Sequence, residues 1–169
     1  RHGLTIQNGS SDYAAGAHLD PGCALNCAFV GNYSSNTLWG SGGGAMLANA
    51  DFTDAVVAGV NFRMIDARGH GITKEQLYAT ASYQNNDLRG IELDDLYDLA
   101  GWDLSGQDLT DAHLFCARPG VNLIGASLKN AYPMGIRDAV VDPTTVYNQW
   151  TFFDPFDPSF DPTAAGLTY

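Results

Sequence analysis

An apolar residue recurs every five positions over much of the chain, and this period constrains the fold more than any other feature of the sequence. The period matches neither the roughly 3.6-residue repeat of an α-helix nor the two-residue repeat of a flat β-strand. From Leu47 to Phe62, each apolar centre is preceded, two residues earlier, by a small or branched apolar residue. The predicted core consists of the central residues Leu47, Phe52, Val57, Phe62, Leu88, Leu93, Leu99, Leu104, Leu109, Leu114, Leu123 and Leu128.

The repeat contains two irregular steps. Leu93 and Leu99 are six residues apart instead of five, and one residue is missing between Leu114 and Leu123. Such slips are tolerable at corners, because a corner can absorb a residue without moving the apolar centres on either side. Internal repetition at a fixed short spacing is the sequence signature of a repeat architecture.

The polar residues of the repeat are those that favour turns. Gly, Asn and Asp follow many of the centres, and all three tolerate the backbone conformations of tight turns. The chain has 19 Gly among 169 residues and a formal net charge of -11. With only 8 Lys and Arg, it lacks the basic surface that binds nucleic-acid phosphates, so direct nucleic-acid binding is not expected.

The repeat resembles that of the pentapeptide-repeat family, whose consensus is Ala, then Asp or Asn, then Leu or Phe, then two polar or small residues. The best matches are residues 50–54 (Ala-Asp-Phe-Thr-Asp), 107–111 (Gln-Asp-Leu-Thr-Asp) and 126–130 (Ala-Ser-Leu-Lys-Asn). The resemblance covers about half of the chain. It implies an all-β fold, a right-handed quadrilateral β-helix with four repeats to a coil and with the central residue and the preceding Ala pointing inward.

Four further segments resemble secreted repeat proteins of planctomycete-type bacteria, namely residues 74–78, 81–84, 87–91 and 147–150. This resemblance implies a secreted or extracellular protein, with the cell surface as one location. Asn8 and Asn32 begin formal glycosylation sequons, which agree with secretion. No apolar run approaches the roughly 20 residues of a membrane-spanning helix, so no transmembrane segment is expected.

The sequence pattern divides the chain into three parts. Residues 1–44 are predicted to form an irregular β cap, with strand-like runs at 4–7, 27–30 and 37–39. Residues 45–140 are predicted to form the pentapeptide-repeat solenoid, with a helical insertion near 71–83. Residues 141–169 are predicted to form an extended aromatic tail, whose Asp-Pro dipeptides favour extended or turn backbone.

One short helix is expected within the insertion. Thr73 and Gln76 have the spacing of a capping box, in which each side chain binds the backbone N–H of the other residue. The residues from 74 to 82 are mostly compatible with a helix. We interpret the insertion as one that covers a side of the solenoid or divides it into two stacks, with a recognition helix as the alternative.

Cys23 and Cys27 are candidates for a disulfide, because they lie close enough in sequence to close a small ring in an oxidising compartment. Cys116 would then remain as a small buried apolar residue. His18, Cys23 and Cys27 offer three zinc ligands, but no fourth is evident, and no metal site is predicted.

No catalytic constellation stands out, so an enzyme is not expected. The four His residues lie outside zinc-protease motifs and triad contexts. The many carboxylates are interpreted as a solvated acidic face. Calcium bound by aspartates on adjacent turns is the alternative, because calcium prefers hard oxygen ligands. No other cofactor is predicted.

Two functions of different classes fit these features. The first is a non-enzymatic extracellular structural protein whose solenoid self-associates end to end, through cap and tail, into a homo-oligomer or filament such as a fibre or surface layer. The second is an acidic DNA-mimic module that binds a type II topoisomerase, as acidic members of the family can. The assembly candidates are Tyr147, Trp150, Phe152, Phe153, Phe156 and Phe160.

Overall fold

The computed structural model describes residues 4–7, 27–30, 51–60, 62, 72–93, 99–114, 120–153 and 157–169. Two strands lie in the segment predicted as a cap, β1 (Leu4–Gln7) and β2 (Cys27–Val30), at the positions of two of the strand-like runs. They pair in parallel, with Leu4 opposite Cys27 and Gln7 opposite Val30. The third run, residues 37–39, lies outside the described residues.

A tight turn follows the apolar centres and accounts for the five-residue period. The carbonyl of Leu109, for example, accepts a hydrogen bond from the N–H of Ala112 at 3.0 Å. Asp111, the second residue after this centre, has a φ of 61°. Type II turns require a positive φ at this place, which Gly, Asn and Asp adopt most readily. The residues with positive φ at this position are Asp54, Gly59, Gly90, Gly101, Gly106, Asp111, Gly125 and Asn130.

Most of the described repeats contribute two residues to the interior, the centre and the residue two positions before it, whereas Asn86, two positions before Leu88, is exposed. Leu47 lies outside the described residues, and every other predicted core residue is at most 4% exposed. The second inward position holds small residues such as Ala55, Ala112 and Ala126, all fully buried. Because the centre points inward in every described repeat and the second position does so in most of them, the described repeats share one apolar core.

Successive passes of the chain stack in parallel and are joined by isolated β-bridges, which form three ladders among the described residues. Ladder 1 joins Asp87, Asp108, Ser127, Val146 and Thr168. Ladder 2 joins Glu92, His113 and Tyr132. Ladder 3 joins Asp103, Asn122 and Val140. Evenly spaced hydrogen bonds between neighbouring passes hold each ladder together, as in a parallel sheet.

The number of residues between neighbouring positions of the ladders changes at the two irregular steps of the repeat. Asn86 and Gln107 lie on neighbouring passes that span the six-residue step, and they are 21 residues apart. Asp103 and Asn122 lie on passes that span the missing residue, and they are 19 residues apart. These separations are one more and one fewer than four regular repeats contain. The apolar centres therefore stay aligned from pass to pass.

The insertion contains two short helices where the sequence predicts one. Helix α1 spans Lys74–Tyr78 and has the capping box, since Thr73 Oγ1 accepts from the N–H of Gln76 at 3.2 Å and Gln76 Oε1 accepts from the N–H of Thr73 at 2.9 Å. Helix α2 spans Ala81–Gln84. The break occurs at Thr80, which has an extended backbone and uses its side chain to cap α2 through the N–H of Tyr83.

The helices replace part of one pass and do not divide the stack in two. The carbonyl of Ala55 accepts from the N–H of Ala81 at 2.9 Å, which joins α2 to the preceding pass. Next to this contact, the N–H of Gly59 donates to the carbonyl of Arg89 at 2.7 Å. The passes before and after the insertion are therefore direct neighbours.

The described residues in 139–153 and 157–169 continue the ladders, where the sequence predicts an extended tail from residue 141. Val146 follows Ser127 in ladder 1, and Thr168 follows Val146. A 3-10 helix, Ile136–Asp138, precedes this region. Leu167 is only 3% exposed and belongs to the shared core. Burial of this apolar side chain favours the fold-back of the segment. The Asp-Pro dipeptides that begin at residues 142 and 161 provide the turns.

Candidate functional site at the C-terminal end of the ladders

Many acidic side chains bind the backbone of the turn that they precede. Asp103 lies immediately before Leu104, and its Oδ1 accepts from the N–H of Ser105 at 3.1 Å. The same contact, between a side-chain oxygen and the N–H two residues later, occurs at Asp51, Asp108, Asn122, Asp142, Asn148 and Asp161. These are Asx turns, which stabilise tight turns locally. The side chains of these aspartates therefore stabilise the turns of the repeat.

Hydrogen bonds also keep several of these carboxylates in their charged form. Those from the side chain and backbone of Ser105 lower the pKa of Asp103. Those from the side chain and backbone of Thr144 lower the pKa of Asp142 in the same way. Because a hydrogen bond to a carboxylate favours its ionised form, both groups remain charged well below neutral pH.

Arg89 pairs with carboxylates on two passes of ladder 1. Its Nε lies 2.7 Å from Asp87 Oδ1 and 3.9 Å from Asp108 Oδ2. Hydrogen bonds from the Arg89 side chain lower the pKa of Asp87. All three side chains are substantially exposed, so the ion pairs contribute little to stability, but they neutralise part of the acidic face.

The residues of ladders 2 and 3 change from charged to apolar toward the C-terminal passes. Ladder 3 runs from Asp103 through Asn122 to Val140, whereas ladder 1 runs from Asp87 and Asp108 through Ser127 and Val146 to Thr168. Ladder 2 runs from Glu92 through His113 to Tyr132, and Phe152 extends it by donating its N–H to Ala131 at 2.9 Å. The two directions along the stack therefore differ in chemistry, acidic on one side and apolar on the other.

Four large apolar side chains are exposed on the C-terminal passes. They are Val140, Trp150, Phe152 and Tyr169, with exposed fractions of 47%, 70%, 48% and 71%. We call these four residues the C-terminal apolar group. On the earlier described passes only Val56 and Ile124 are comparably exposed. Scattered exposed apolar residues are ordinary, but several at one end of a structure indicate a surface that is covered in use.

A stack of rings follows ladder 2 and ends in this group. The rings of His113 and Tyr132 have centroids 5.7 Å apart. Those of Tyr132 and Phe152 are nearly parallel, with centroids 4.7 Å apart and an interplanar angle of 5°. Offset stacking of this kind is a favourable arrangement of aromatic side chains. Phe152 has no second ring partner among the described residues, so the stack is open at its C-terminal end.

A row of amide and carboxylate groups orders the turn that carries Trp150. Asn130 Nδ2 donates to Asp111 Oδ1 at 3.0 Å, and Asn148 Nδ2 donates to Asn130 Oδ1 at 2.9 Å. The Oδ1 of Asn148 also accepts from the N–H of Trp150 at 3.1 Å. Side chains from three successive passes thereby fix the backbone at Trp150, although its indole is exposed.

The aromatic residues predicted for assembly occupy two different environments. Tyr147, Phe153 and Phe160 are half-buried and pack against the core of the same chain. Trp150 and Phe152 are exposed, as the assembly hypothesis requires. Phe156 lies outside the described residues.

The sequence prediction did not include Val140 and Tyr169, the other members of the C-terminal apolar group. Val140 could have been found from the register, because it occupies a ladder position that is Asp103 and then Asn122 in earlier passes. Tyr169 follows Thr168, whose place in ladder 1 depends on the fold-back of the last residues.

The remaining sequence candidates do not form a site in the described part of the chain. No group of three or more His, Cys, Asp and Glu residues there is arranged to hold a metal ion. Cys23, Asn8 and Asn32 lie outside the described residues, and Cys27 is placed by its backbone in β2. No helix in the described ranges is long and apolar enough to cross a membrane.

Comparison of the chain with protein-family models, curated proteins and solved structures found no match. The function is therefore inferred from the residues and their geometry.

Proposed function

We propose that the chain is a non-enzymatic extracellular structural protein of the pentapeptide-repeat type, a right-handed quadrilateral β-helix that self-associates end to end into a fibre or surface layer. The observation that carries this proposal is the change along ladders 2 and 3 from charged residues to exposed apolar ones. Exposed apolar surface is unfavourable in water, so an apolar end favours association with another copy.

Unpaired backbone groups at the last passes support the same proposal. Val140 binds the preceding pass through both its N–H and its C=O. The adjacent groups, the carbonyl of Ala139 and the N–H of Val141, are the ones that would bind a following pass. Neither has a hydrogen bond within the described residues. Such an edge can accept a strand from another chain, with main-chain hydrogen bonds supplying affinity.

The proposal is tested by measuring association of the purified chain. Light scattering over a range of concentrations gives the mass of the species in solution, and negative-stain electron microscopy shows whether filaments or sheets form. We expect concentration-dependent oligomers. A chain that stays monomeric at every concentration would contradict the proposal.

A pair of double variants locates the surface. Val140→Lys with Phe152→Lys introduces two charges into the C-terminal apolar group and is expected to raise the concentration needed for assembly by about tenfold or more. Val56→Lys with Ile124→Lys is the matched control, because it places the same charges at exposed apolar positions on earlier passes. Equal effects of the two variants would show that net charge, and not this surface, governs association.

An acidic DNA mimic that binds a type II topoisomerase is the second candidate. It is favoured by the carboxylates of Asp87 and Asp108, which lie on successive passes separated by the inter-strand spacing of about 4.8 Å. Arg89 lies against both and weakens this resemblance to a phosphate row. A gyrase supercoiling assay with the wild-type chain and the variant Asp87→Asn/Asp108→Asn decides. Inhibition by the wild-type chain that is lost in the variant would favour this candidate.

A further inference from the structure

Two tyrosines of the helical insertion lie face to face. Tyr78 is the last residue of α1, and Tyr83 lies within α2. Their ring centroids are 4.3 Å apart, with an interplanar angle of 24°. Stacking at this distance brings the ring carbons of the two phenols into van der Waals contact. Both side chains are half-buried, so the pair also has access to solvent.

One residue of ladder 3 aligns the two hydroxyl groups. The N–H of Asp103 donates to Tyr78 Oη, and the carbonyl of Asp103 accepts from Tyr83 Oη at 2.7 Å. Because both backbone groups belong to one residue, the two hydroxyl oxygens lie side by side and the phenols point in the same direction. The ring carbons beside the hydroxyl of Tyr78 therefore lie next to those of Tyr83.

Hydrogen bonds to the backbone hold both tyrosines in place. Gln84 Nε2 donates to the carbonyl of Tyr78 at 2.7 Å, and Gln107 Nε2 donates to the carbonyl of Tyr83 at 3.1 Å. Between them, the side chain of Thr80 caps α2. Groups that are held together in this way react faster than free ones, because their encounter costs no further translational or rotational entropy.

A second tyrosine pair in the described part of the chain has a different geometry. The rings of Tyr147 and Tyr169 are nearly perpendicular, with an interplanar angle of 80° and centroids 5.3 Å apart. Their hydroxyls bind different partners, Thr163 Oγ1 and Gln149 Oε1. The ring carbons beside these two hydroxyls are therefore not aligned, and this pair serves as an internal comparison.

We infer that Tyr78 and Tyr83 form an oxidative modification site, at which a haem peroxidase and hydrogen peroxide join the two rings as dityrosine. Each phenol gives up one electron and its hydroxyl proton, which leaves two phenoxyl radicals. One carbon–carbon bond forms between the ring carbons beside the hydroxyls. The hydrogen on each of these carbons then moves to its own oxygen by way of solvent, which restores both phenols. The two electrons and two protons reduce one hydrogen peroxide to two waters.

This inference goes beyond the proposed function, because the bond forms within one chain and needs no second copy. The bond ties α1 to α2 across Thr80. It lies where the helices replace part of a pass, and where hydroxyl groups bind Asp103 in place of a neighbouring strand. The cross-link therefore strengthens a part of the stack that side chains hold together.

The test treats the dilute, monomeric wild-type chain with a haem peroxidase and hydrogen peroxide. The blue fluorescence of dityrosine reports the reaction, and mass spectrometry of tryptic fragments locates it. The fragment 75–89 contains Tyr78 and Tyr83 and no other tyrosine. We expect this fragment to lose two hydrogen atoms and to stay in one piece when the backbone is cut between the two residues.

Two kinds of control separate geometry from general reactivity. Tyr78→Phe and Tyr83→Phe should each abolish the modified fragment, whereas the double variant Tyr147→Phe/Tyr169→Phe should leave its yield unchanged. The folded chain is also compared with the chain unfolded in urea, with tris(bipyridine)ruthenium, light and persulfate as the oxidant, because persulfate can accept the two electrons in urea. The fragment should be modified about tenfold or more faster in the folded chain.

Two results would overturn the inference. One is a folded chain whose fragment 75–89 keeps both hydrogen atoms while the exposed Tyr169 is cross-linked between chains. The other is an equal rate in the folded and unfolded chains, because the stacked geometry would then contribute nothing. Neither result affects the proposed function, which is tested by association of the chain without oxidant.

Discussion

The hydroxyl oxygen of Ser82 accepts a hydrogen bond from the backbone N–H of Val57 at 2.9 Å. The same oxygen accepts a second bond from the N–H of Ala58 at 3.2 Å. Helix α2 interrupts the pass that would otherwise bind these groups, and Ser82 lies within it. One side chain thus takes over hydrogen bonds that the backbone of a regular repeat would provide.

Replacing Ser82 should therefore destabilise the chain. Ser82→Ala leaves two N–H groups at this site without their partner, and the loss of a buried partner costs about 1–3 kcal/mol. We expect the free energy of unfolding, measured by urea denaturation, to fall by about this amount. Ser105→Ala, a change of the same chemistry at a half-buried turn, should cost less. Equal costs would show that burial of the Ser82 contact does not matter.

Tyr83 links α2 to ladder 3 and should make stability depend on alkaline pH. Its hydroxyl donates to the carbonyl of Asp103 at 2.7 Å, and its ring stacks on Tyr78 with centroids 4.3 Å apart. Burial, followed by the proximity of Tyr78 and Asp103, raises the pKa of Tyr83 from 10.0 to about 12. A raised folded-state pKa stabilises the fold below the unfolded-state pKa, and this contribution is lost as the pH rises from 10.0 to about 12.

Tyr83→Phe should flatten the dependence of unfolding free energy on pH in this window. Absorbance of tyrosinate during an alkaline titration should also show the loss of one late-titrating group. An identical slope in the wild-type chain and Tyr83→Phe would refute the assignment.

Asp103 should contribute to stability above acidic pH. Its folded-state pKa lies below the ordinary 3.8 because of the hydrogen bonds from Ser105. A lowered pKa stabilises the fold above the unfolded-state value, and this contribution is lost as the pH falls through the lowered value. Asp103→Ala should reduce the free energy of unfolding at neutral pH by about 0.5–1 kcal/mol.

Asp103→Asn separates the turn contact from the charge, since Asn122 and Asn148 make the same contact with an amide oxygen. This variant should keep most of the stability at neutral pH but lose the acid dependence that Asp103 supplies. Urea denaturation at neutral and acidic pH gives both quantities. A variant as unstable as Asp103→Ala would mean that the charge, and not the Asx turn, is the stabilising element.

The glycines of the turns should differ in how they tolerate a side chain. Gly101 has a φ of 70°, and a Cβ there would meet nothing within 4 Å, so Gly101→Ala carries only backbone strain of about 1–2 kcal/mol. Gly90 has a φ of 66°, and its Cβ would lie 3.4 Å from the Cα of Gly59 on the neighbouring pass. Gly90→Ala should therefore cost more than Gly101→Ala in thermal or urea denaturation.

Gly101→Asn is the control for strain, because Asn130 adopts a φ of 56° at the equivalent position. It should cost less than Gly101→Ala. If the two substitutions at Gly101 cost the same, the left-handed backbone is not what limits this position.

Features within one repeat follow directly from the sequence. The buried centres, the left-handed residue two positions later and the capping box at Thr73 and Gln76 all depend on residues at most a few positions apart. Their physical basis is local, because side-chain size decides which residue fits the interior and steric freedom at φ decides which residue fits the turn.

Contacts between passes could not be predicted in the same way. The pairing of Asp103 with Asn122, the place of Val140 at an open edge and the fold-back of Thr168 onto Val146 all join residues on neighbouring passes. These pairings depend on how many residues each pass contains, including those at the irregular steps. A change of one residue shifts every later partner.

The sequence by itself determined the five-residue period, the residues that fill the core and the residues that turn the chain, because each of these is fixed by local sterics and apolar burial. Only the tertiary structure decided that α2 replaces part of a pass, that Ser82 accepts hydrogen bonds from the backbone of Val57, and that Thr168 extends ladder 1 beyond Val146. These features arise from stacking, where residues distant in sequence become neighbours and must satisfy one another's hydrogen bonds and cover one another's apolar surface.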